Sequence, residues 1–249
     1  MTVDHLKGAT SMAPETKLQL ALDLPSLGAS VAIVCALRSR LARVEVGTPL
    51  LLHAGVGAIE MVRSIVPPDV IVVSDTKICD AGHRIALDSF NAGADVVTVV
   101  GVALDGPTWR GVLDAARSGP ARPRAVLVDT VGWDAAAAGP GLRALTEEAM
   151  LSNIPVEICV HRPKDDPPPL PELFRQFGTA GGSAVGNSAS PRHLIAGKMA
   201  NGQVAPAIRA GFDVVIVGGA VSDSDNPAEA WSTLLAEVPA PDAEATREP

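Results

Sequence analysis

Three observations predict a closed (β/α)8 barrel in a single domain. Short apolar runs rich in β-branched residues alternate with helical segments, the pattern of strand, helix and parallel strand. Most runs are apolar throughout, as in strands covered on both faces, and most stop at glycine or at a polar residue. The chain has 249 residues, about what one such barrel uses and tight for two compact domains.

The strands are expected at Leu18–Leu24, Arg43–Gly47, Val70–Ser74, Val96–Gly101, Ala125–Asp129, Val156–His161, His193–Gly197 and Val214–Gly218, with seven or eight helices between them. A near-repeat supports the alternation. Asn91-Ala-Gly-Ala-Asp-Val-Val and Arg209-Ala-Gly-Phe-Asp-Val-Val each read as a helix that ends at glycine and turns straight into a strand. The barrel is expected over 16–237, with 1–15 and 238–249 as tails. The segment from Pro163 to Pro191 is Pro-rich, then Gly/Ser-rich, around a short helix at Leu170–Phe177, and reads as a lid.

Composition narrows the function classes. Hydrophobic residues make up 47% of the chain, enough for a large core and against global disorder. The 28 acids and 20 bases leave a net charge of −8, which argues against nucleic acid as a partner. No apolar run is long enough for a membrane helix. Cys35, Cys79 and Cys159 are odd in number and far apart, so neither a disulfide framework nor a zinc knuckle is expected, and a reducing cytoplasm fits. The first residues lack the basic start and apolar stretch of a secretory signal, so export is not expected.

Reactive groups of such a barrel sit at the carboxyl ends of its strands. There the third strand continues into Ser74-Asp-Thr-Lys-Ile-Cys-Asp80, which puts Asp75 and Lys77 two apart and on one strand face. Buried carboxylates are costly without a cation, so this cluster is either an active-site constellation or a structural ion-pair girdle. Glu45 ends the second strand, where it could share a hard divalent cation with Asp75 or pair with Lys77. Asp23 and Asp129 close the first and fifth strands, as site acids or as helix caps. His161 and Arg162 end the sixth strand, and an imidazole there could move a proton near neutral pH. Gly197-Lys198 after the seventh strand and Gly218-Gly219 after the eighth lie where barrels bind phosphate through backbone N–H groups. His5, His53, His83 and His193 lack such placement and read as surface or packing residues.

With these residues in place the chain resembles the orotidine-monophosphate decarboxylase suprafamily, and within it the 3-hexulose-6-phosphate synthases. The similarity is carried by Leu18-Gln-Leu-Ala-Leu-Asp23, Glu45-Val-Gly-Thr-Pro-Leu50, Asp75-Thr-Lys-Ile-Cys-Asp80, the segment from Ala92 to Gly101 and the segment from Asp213 to Ala220. Glutamate at position 45 is similar to the metal-dependent branch. The resemblance implies Mg²⁺ or Mn²⁺ held by Glu45 and Asp75, and an enediolate steadied by Lys77. It also implies proton transfer at His161, and a homodimer in which Asp80 reaches the neighbouring subunit's site. The implied reaction is aldol addition of formaldehyde to D-ribulose 5-phosphate in carbohydrate metabolism.

Two departures bear on the substrate. Lys198 stands where the synthases usually have a second glycine, and His161-Arg-Pro-Lys-Asp165 looks closer to the 3-keto-L-gulonate-6-phosphate decarboxylases. A decarboxylase of a 3-keto sugar-acid phosphate, with Arg162 or Lys164 on the substrate carboxylate, or a specialised secondary-metabolism relative, is the competing enzyme reading. A non-catalytic sugar-phosphate-binding barrel is the competing reading of another class.

Overall fold

The computed structural model describes residues 13–118, 124–163, 165–177 and 191–240. Eight parallel strands close into a barrel in chain order, with β1 (Leu18–Leu22) paired to both β2 (Arg43–Val46) and β8 (Val214–Val217). Between them run β3 (Ile71–Ile78), β4 (Val96–Val100), β5 (Ala125–Asp129), β6 (Val156–His161) and β7 (Arg192–Ala196). The expected barrel is therefore present. A 3-10 turn at Pro14–Lys17 leads into β1, two residues before the expected barrel start. The bulk of both expected tails, and residue 164 and residues 178–190 of the expected lid, lie outside the described residues.

Period-two alternation explains why the strands look uniformly apolar. Leu18, Leu20 and Leu22 point outward into the layer between sheet and helices, as do Val44 and Val46. The opposite face fills the barrel interior with Ala21, Val73, Val96, Ala125, Leu127, Cys159, Leu194, Val214 and Ile216. Both faces are buried, so both are largely apolar.

Ten helices occur among the described residues, more than expected, because two connections are split. After β2, α2 (Thr48–Ala54) ends at Gly55 with φ 62°, and α3 (Gly57–Ile65) starts afresh. After β8, the four-residue α9 (Gly219–Ser222) precedes α10 (Pro227–Ala236). The others are α1 (Leu27–Leu37), α4 (Gly82–Asn91), α5 (Gly106–Arg117), α6 (Ala135–Leu151), α7 (Leu170–Phe177) and α8 (Val204–Ala210). Their starts follow local chemistry: Ser26, Asp105 and Asn226 accept hydrogen bonds from Ala29, Thr108 and Glu229 backbone N–H at 3.3, 2.7 and 3.3 Å. Pro107 and Pro227 occupy first-turn positions that need no N–H donor.

The near-repeat has one mechanical role used twice. Gly93 and Gly211 turn the chain with φ 104° and 115°. The aspartate that follows each, Asp95 or Asp213, then accepts the backbone N–H of the preceding strand (Val72 or His193), in each case at 2.9 Å.

The third strand runs four residues beyond its expected end, to Ile78, so Asp75 and Lys77 lie inside the sheet rather than past it. Pairing with β4 shifts register between Ser74 and Ile78, and Lys77 adopts φ 45° there. Such an irregularity re-aims side chains at a barrel rim. His193 is buried on the outer face of β7, edge-on to the Phe174 ring of α7 at 5.7 Å, which agrees with the packing reading.

Candidate active site

A cavity of about 670 Å³ opens at the carboxyl ends of the strands. Its lining includes Asp23, Glu45, Asp75, Lys77, Asp129, His161, Gly197, Lys198, Gly218 and Gly219. The alternation that buries apolar residues between sheet and helices turns these groups inward. Asp80 and Arg162 are not among the lining. Asp80 is exposed past the strand, with Oδ1 accepting the Ala81 N–H at 2.6 Å. Arg162 follows His161 just past the end of β6. Its carbonyl lies 2.6 Å from where a Cβ on Gly197 would stand, and its Nε is buried without a hydrogen-bond partner among the described residues. Lys164 lies outside the described residues.

Lys77 bridges two strands: its Nζ donates to Asp75 Oδ1 at 3.0 Å and to Asp129 Oδ2 at 2.8 Å. Its distorted backbone is held by a hydrogen bond from its own N–H to Thr98 Oγ1 at 2.9 Å. The Thr98 hydroxyl in turn donates to Asp75 Oδ1 at 2.9 Å, and Thr48 Oγ1 donates to Asp75 Oδ2 at 2.8 Å. Asp75 is therefore oriented from three sides. Neither threonine was anticipated. Thr98 alone interrupts the apolar Val96–Val100 run, and that interruption was a readable signal; Thr48 gave none beyond following a strand end.

Asp129 is not a helix cap. Its Oδ1 accepts the Val131 N–H at 2.9 Å and stands 3.4 Å from His161 Nδ1, outside hydrogen-bond geometry. Asp23 is no cap either, since Ser26 caps α1. Its carboxylate is wedged between two glycines, with Oδ1 and Oδ2 at 2.1 and 3.0 Å from where a Cβ on Gly47 and on Gly218 would lie. A side chain at position 47 would displace the acid.

The electrostatics are lopsided. Burial would lower the Lys77 pKa, but Asp75 and Asp129 outweigh it and hold the ammonium above its ordinary range. Burial also pushes Asp129 up, yet His161 and Lys77 overcome it and the carboxyl titrates low. At Glu45 and Asp23 the charge of Lys77 works against the shift but does not outweigh it. Desolvation and then the charge of Asp75 raise both, Asp23 adding to Glu45, and among the described residues neither forms an ion pair. The alternative Glu45–Lys77 pair is not formed; Glu45 accepts a hydrogen bond at Oε2 from Gln19 Nε2, a partner sequence reasoning missed.

Surplus buried anion with hard oxygen donors suits a divalent cation. Among the described residues no three His, Cys, Asp or Glu groups could enclose one, so Glu45 and Asp75 would supply two ligands and water or substrate the remainder.

The pattern of the orotidine 5'-phosphate decarboxylase / HUMPS family matches residues 16–149, which covers β1 through most of α6. A 3-hexulose-6-phosphate synthase of Mycobacterium gastri is 32% identical over 223 residues, 89% of this chain and 99% of that protein. A 3-keto-L-gulonate-6-phosphate decarboxylase of Escherichia coli is 43% identical over 83 residues, 33% of this chain and 37% of that protein. The crystal structure of a 3-hexulose-6-phosphate synthase from Salmonella typhimurium superposes with TM-score 0.72 at 29% identity, covering 89% of this chain and 98% of that one. No helix among the described residues is long and apolar enough to cross a membrane. By its barrel, its site residues and these likenesses, the chain belongs to the orotidine 5'-phosphate decarboxylase / HUMPS family.

Proposed function

We propose that the protein is a Mg²⁺- or Mn²⁺-dependent carbon–carbon lyase of the 3-hexulose-6-phosphate synthase type, adding formaldehyde to D-ribulose 5-phosphate. One observation carries the metal-dependent chemistry: the buried Glu45 and the more open Asp23, neither in an ion pair among the described residues, sit beside an ammonium shared by Asp75 and Asp129. The substrate rests on the likeness to a synthase along nearly its whole length. When bound at Glu45 and Asp75, the cation supplies Lewis-acid stabilisation of negative charge on substrate oxygens.

The chain's own residues then divide the work. His161, with Nδ1 3.4 Å from Asp129 Oδ1, moves protons to and from substrate. The enediolate formed by loss of the C1 proton is steadied by Lys77 Nζ, and C1 bonds to the formaldehyde carbon. The new alkoxide takes up a proton, so the atoms balance. Cys159 on the floor has its thiol pKa raised by burial and neighbouring carboxylates, which keeps it protonated and uninvolved.

The deciding experiment follows formaldehyde consumption with ribulose 5-phosphate beside carbon dioxide release from 3-keto-L-gulonate 6-phosphate, each with Mg²⁺ and with excess chelator. Formaldehyde consumption that stops with chelator is expected. Undiminished turnover in chelator removes the metal from the mechanism. Carbon dioxide release without formaldehyde consumption favours the decarboxylase reading, for which the locally higher identity to the Escherichia coli enzyme speaks. Loss of both activities leaves a binding barrel.

The phosphate is assigned to the wall where Gly197-Lys198 meets Gly218-Gly219. Gly197 and Lys198 have φ 101° and 51°, so a lysine accepts a left-handed conformation at the mouth while its side chain stays exposed. Lys198→Ala should raise KM and spare kcat, because a contact remote from the reacting carbons is equal in ground and transition states. A charge-assisted contact there is worth about 1.5–3 kcal/mol, or roughly tenfold to hundredfold in kcat/KM. Lys198→Gly, which relaxes the backbone and keeps its N–H, separates the two contributions: kinetics equal to wild type would withdraw the charge contact.

Asp80, exposed and off the cavity, is proposed to serve the neighbouring subunit's site in a homodimer. Light scattering should give twice the chain mass, and a monomer at assay concentration sinks this part.

A further inference from the structure

Beneath the cavity the barrel interior holds a chain of polar groups that the reaction does not touch. Gln19 lies on β1 two residues before Ala21, the register partner of Glu45, and so one layer below that acid. Arg43 Nε donates to Gln19 Oε1 at 2.9 Å, and its Nη1 and Nη2 grip Glu157 Oε1 and Oε2 at 2.9 and 2.6 Å. Arg192 stands 3.7 Å from the same Glu157. Gln19, Arg43 and Glu157 are 0%, 1% and 2% exposed.

This arrangement removes an ambiguity that amides usually carry. A guanidinium can only donate, so the Gln19 oxygen must face Arg43 and its NH₂ must face Glu45. The bond from Gln19 Nε2 to Glu45 Oε2 therefore requires that oxygen to be an acceptor. Arg43 is itself locked by a bidentate carboxylate, which fixes direction as well as charge. A buried ion pair costs desolvation and is a poor source of stability, so its retention under this site calls for another reason.

We infer that Gln19 is a positioning residue, which with the Arg43–Glu157 clamp holds the Glu45 carboxylate in the one orientation that presents it to a divalent cation. The inference rests on the metal-dependent reading above. Groups that orient metal ligands typically govern affinity by tenfold to a hundredfold. Without Gln19, Glu45 can turn toward Lys77 and be lost as a ligand.

The test is Mn²⁺ binding to the intact protein without substrate, read from the electron paramagnetic resonance signal of the free ion. Gln19→Met, unbranched and similar in volume, should bind Mn²⁺ about 10–100-fold more weakly. At Mn²⁺ concentrations that saturate the variant, kcat should recover most of the way to the native value. A purely structural role would lower the melting temperature but leave the affinity of folded molecules unchanged, and equal affinity in folded Gln19→Met overturns the inference. If that variant does not fold, Arg43→Lys keeps a cation by Glu157 but loses the Nε that Gln19 accepts. Native affinity in folded Arg43→Lys likewise overturns it, and weaker binding supports it. A native protein that binds no Mn²⁺ defeats the metal reading itself, a result distinct from either.

Discussion

Glu45→Gln is expected to abolish turnover and the response to Mg²⁺ together, while the metal-free variant melts higher than the native protein. The loss should be at least about a thousandfold, the upper scale for removing one preorganised electrostatic group from an active site. The stability gain follows from the direction of the Glu45 shift. Its folded pKa lies above the unfolded value, because of burial first and the charges of Asp75 and Asp23 next. The unfolded chain therefore holds the smaller proton load as pH rises, and stability falls between the unfolded carboxylate range and the raised folded value. At neutral pH the native site bears that cost and the amide does not. Thermal melts in chelator, run from pH 5 to 8 on both proteins, should show the gap widening toward higher pH. Mg²⁺ should raise the native melting temperature alone. A variant no more stable than native at pH 8 would mean that Glu45 is not the strained charge.

Lys77→Met should be as damaging to activity, with the opposite effect on stability. The ammonium is the cation common to Asp75 and Asp129. Removing it takes positive charge from the developing enediolate and releases both carboxylates, for a loss in kcat/KM of about a thousandfold or more. Breaking a buried pair leaves an uncompensated charge and costs about 3–5 kcal/mol. The lower end applies, since the Lys77 side chain is 30% exposed. That corresponds to a drop of roughly 6–12 °C. Loss of activity without loss of melting temperature would show that Asp75 and Asp129 find other partners. Two substitutions in one cavity, removing charges of opposite sign, thus move stability in opposite directions, as a surplus of buried anion requires.

The sequence alone determined the closed barrel and the strands that build it, together with most of the groups at its mouth. These follow from local physics. Apolar runs of strand length need cover on both faces, helices that end at glycine feed strands, and acids at strand ends face the open end of the barrel. Asp75 and Lys77 were legible as a pair because two residues along a strand share a face. Their true partners were not: Asp129, 52 residues from Lys77, and Thr98, 23 from Asp75, become neighbours only when the barrel closes.

Tertiary structure also decided which readings of a residue survive. Asp23 and Asp129 were caps or site acids until the fold put Asp23 between Gly47 and Gly218 and Asp129 under Lys77. Arg162, adjacent to a site histidine in the chain, is not among the residues that line the cavity. Gln19 looked like a lone polar residue among leucines. It gains meaning from Glu45, 26 residues on, and from Arg43 and Glu157, the latter two 114 residues apart. Inward polar contacts join strands through register and stagger across the closed sheet, and no local window of sequence contains that geometry.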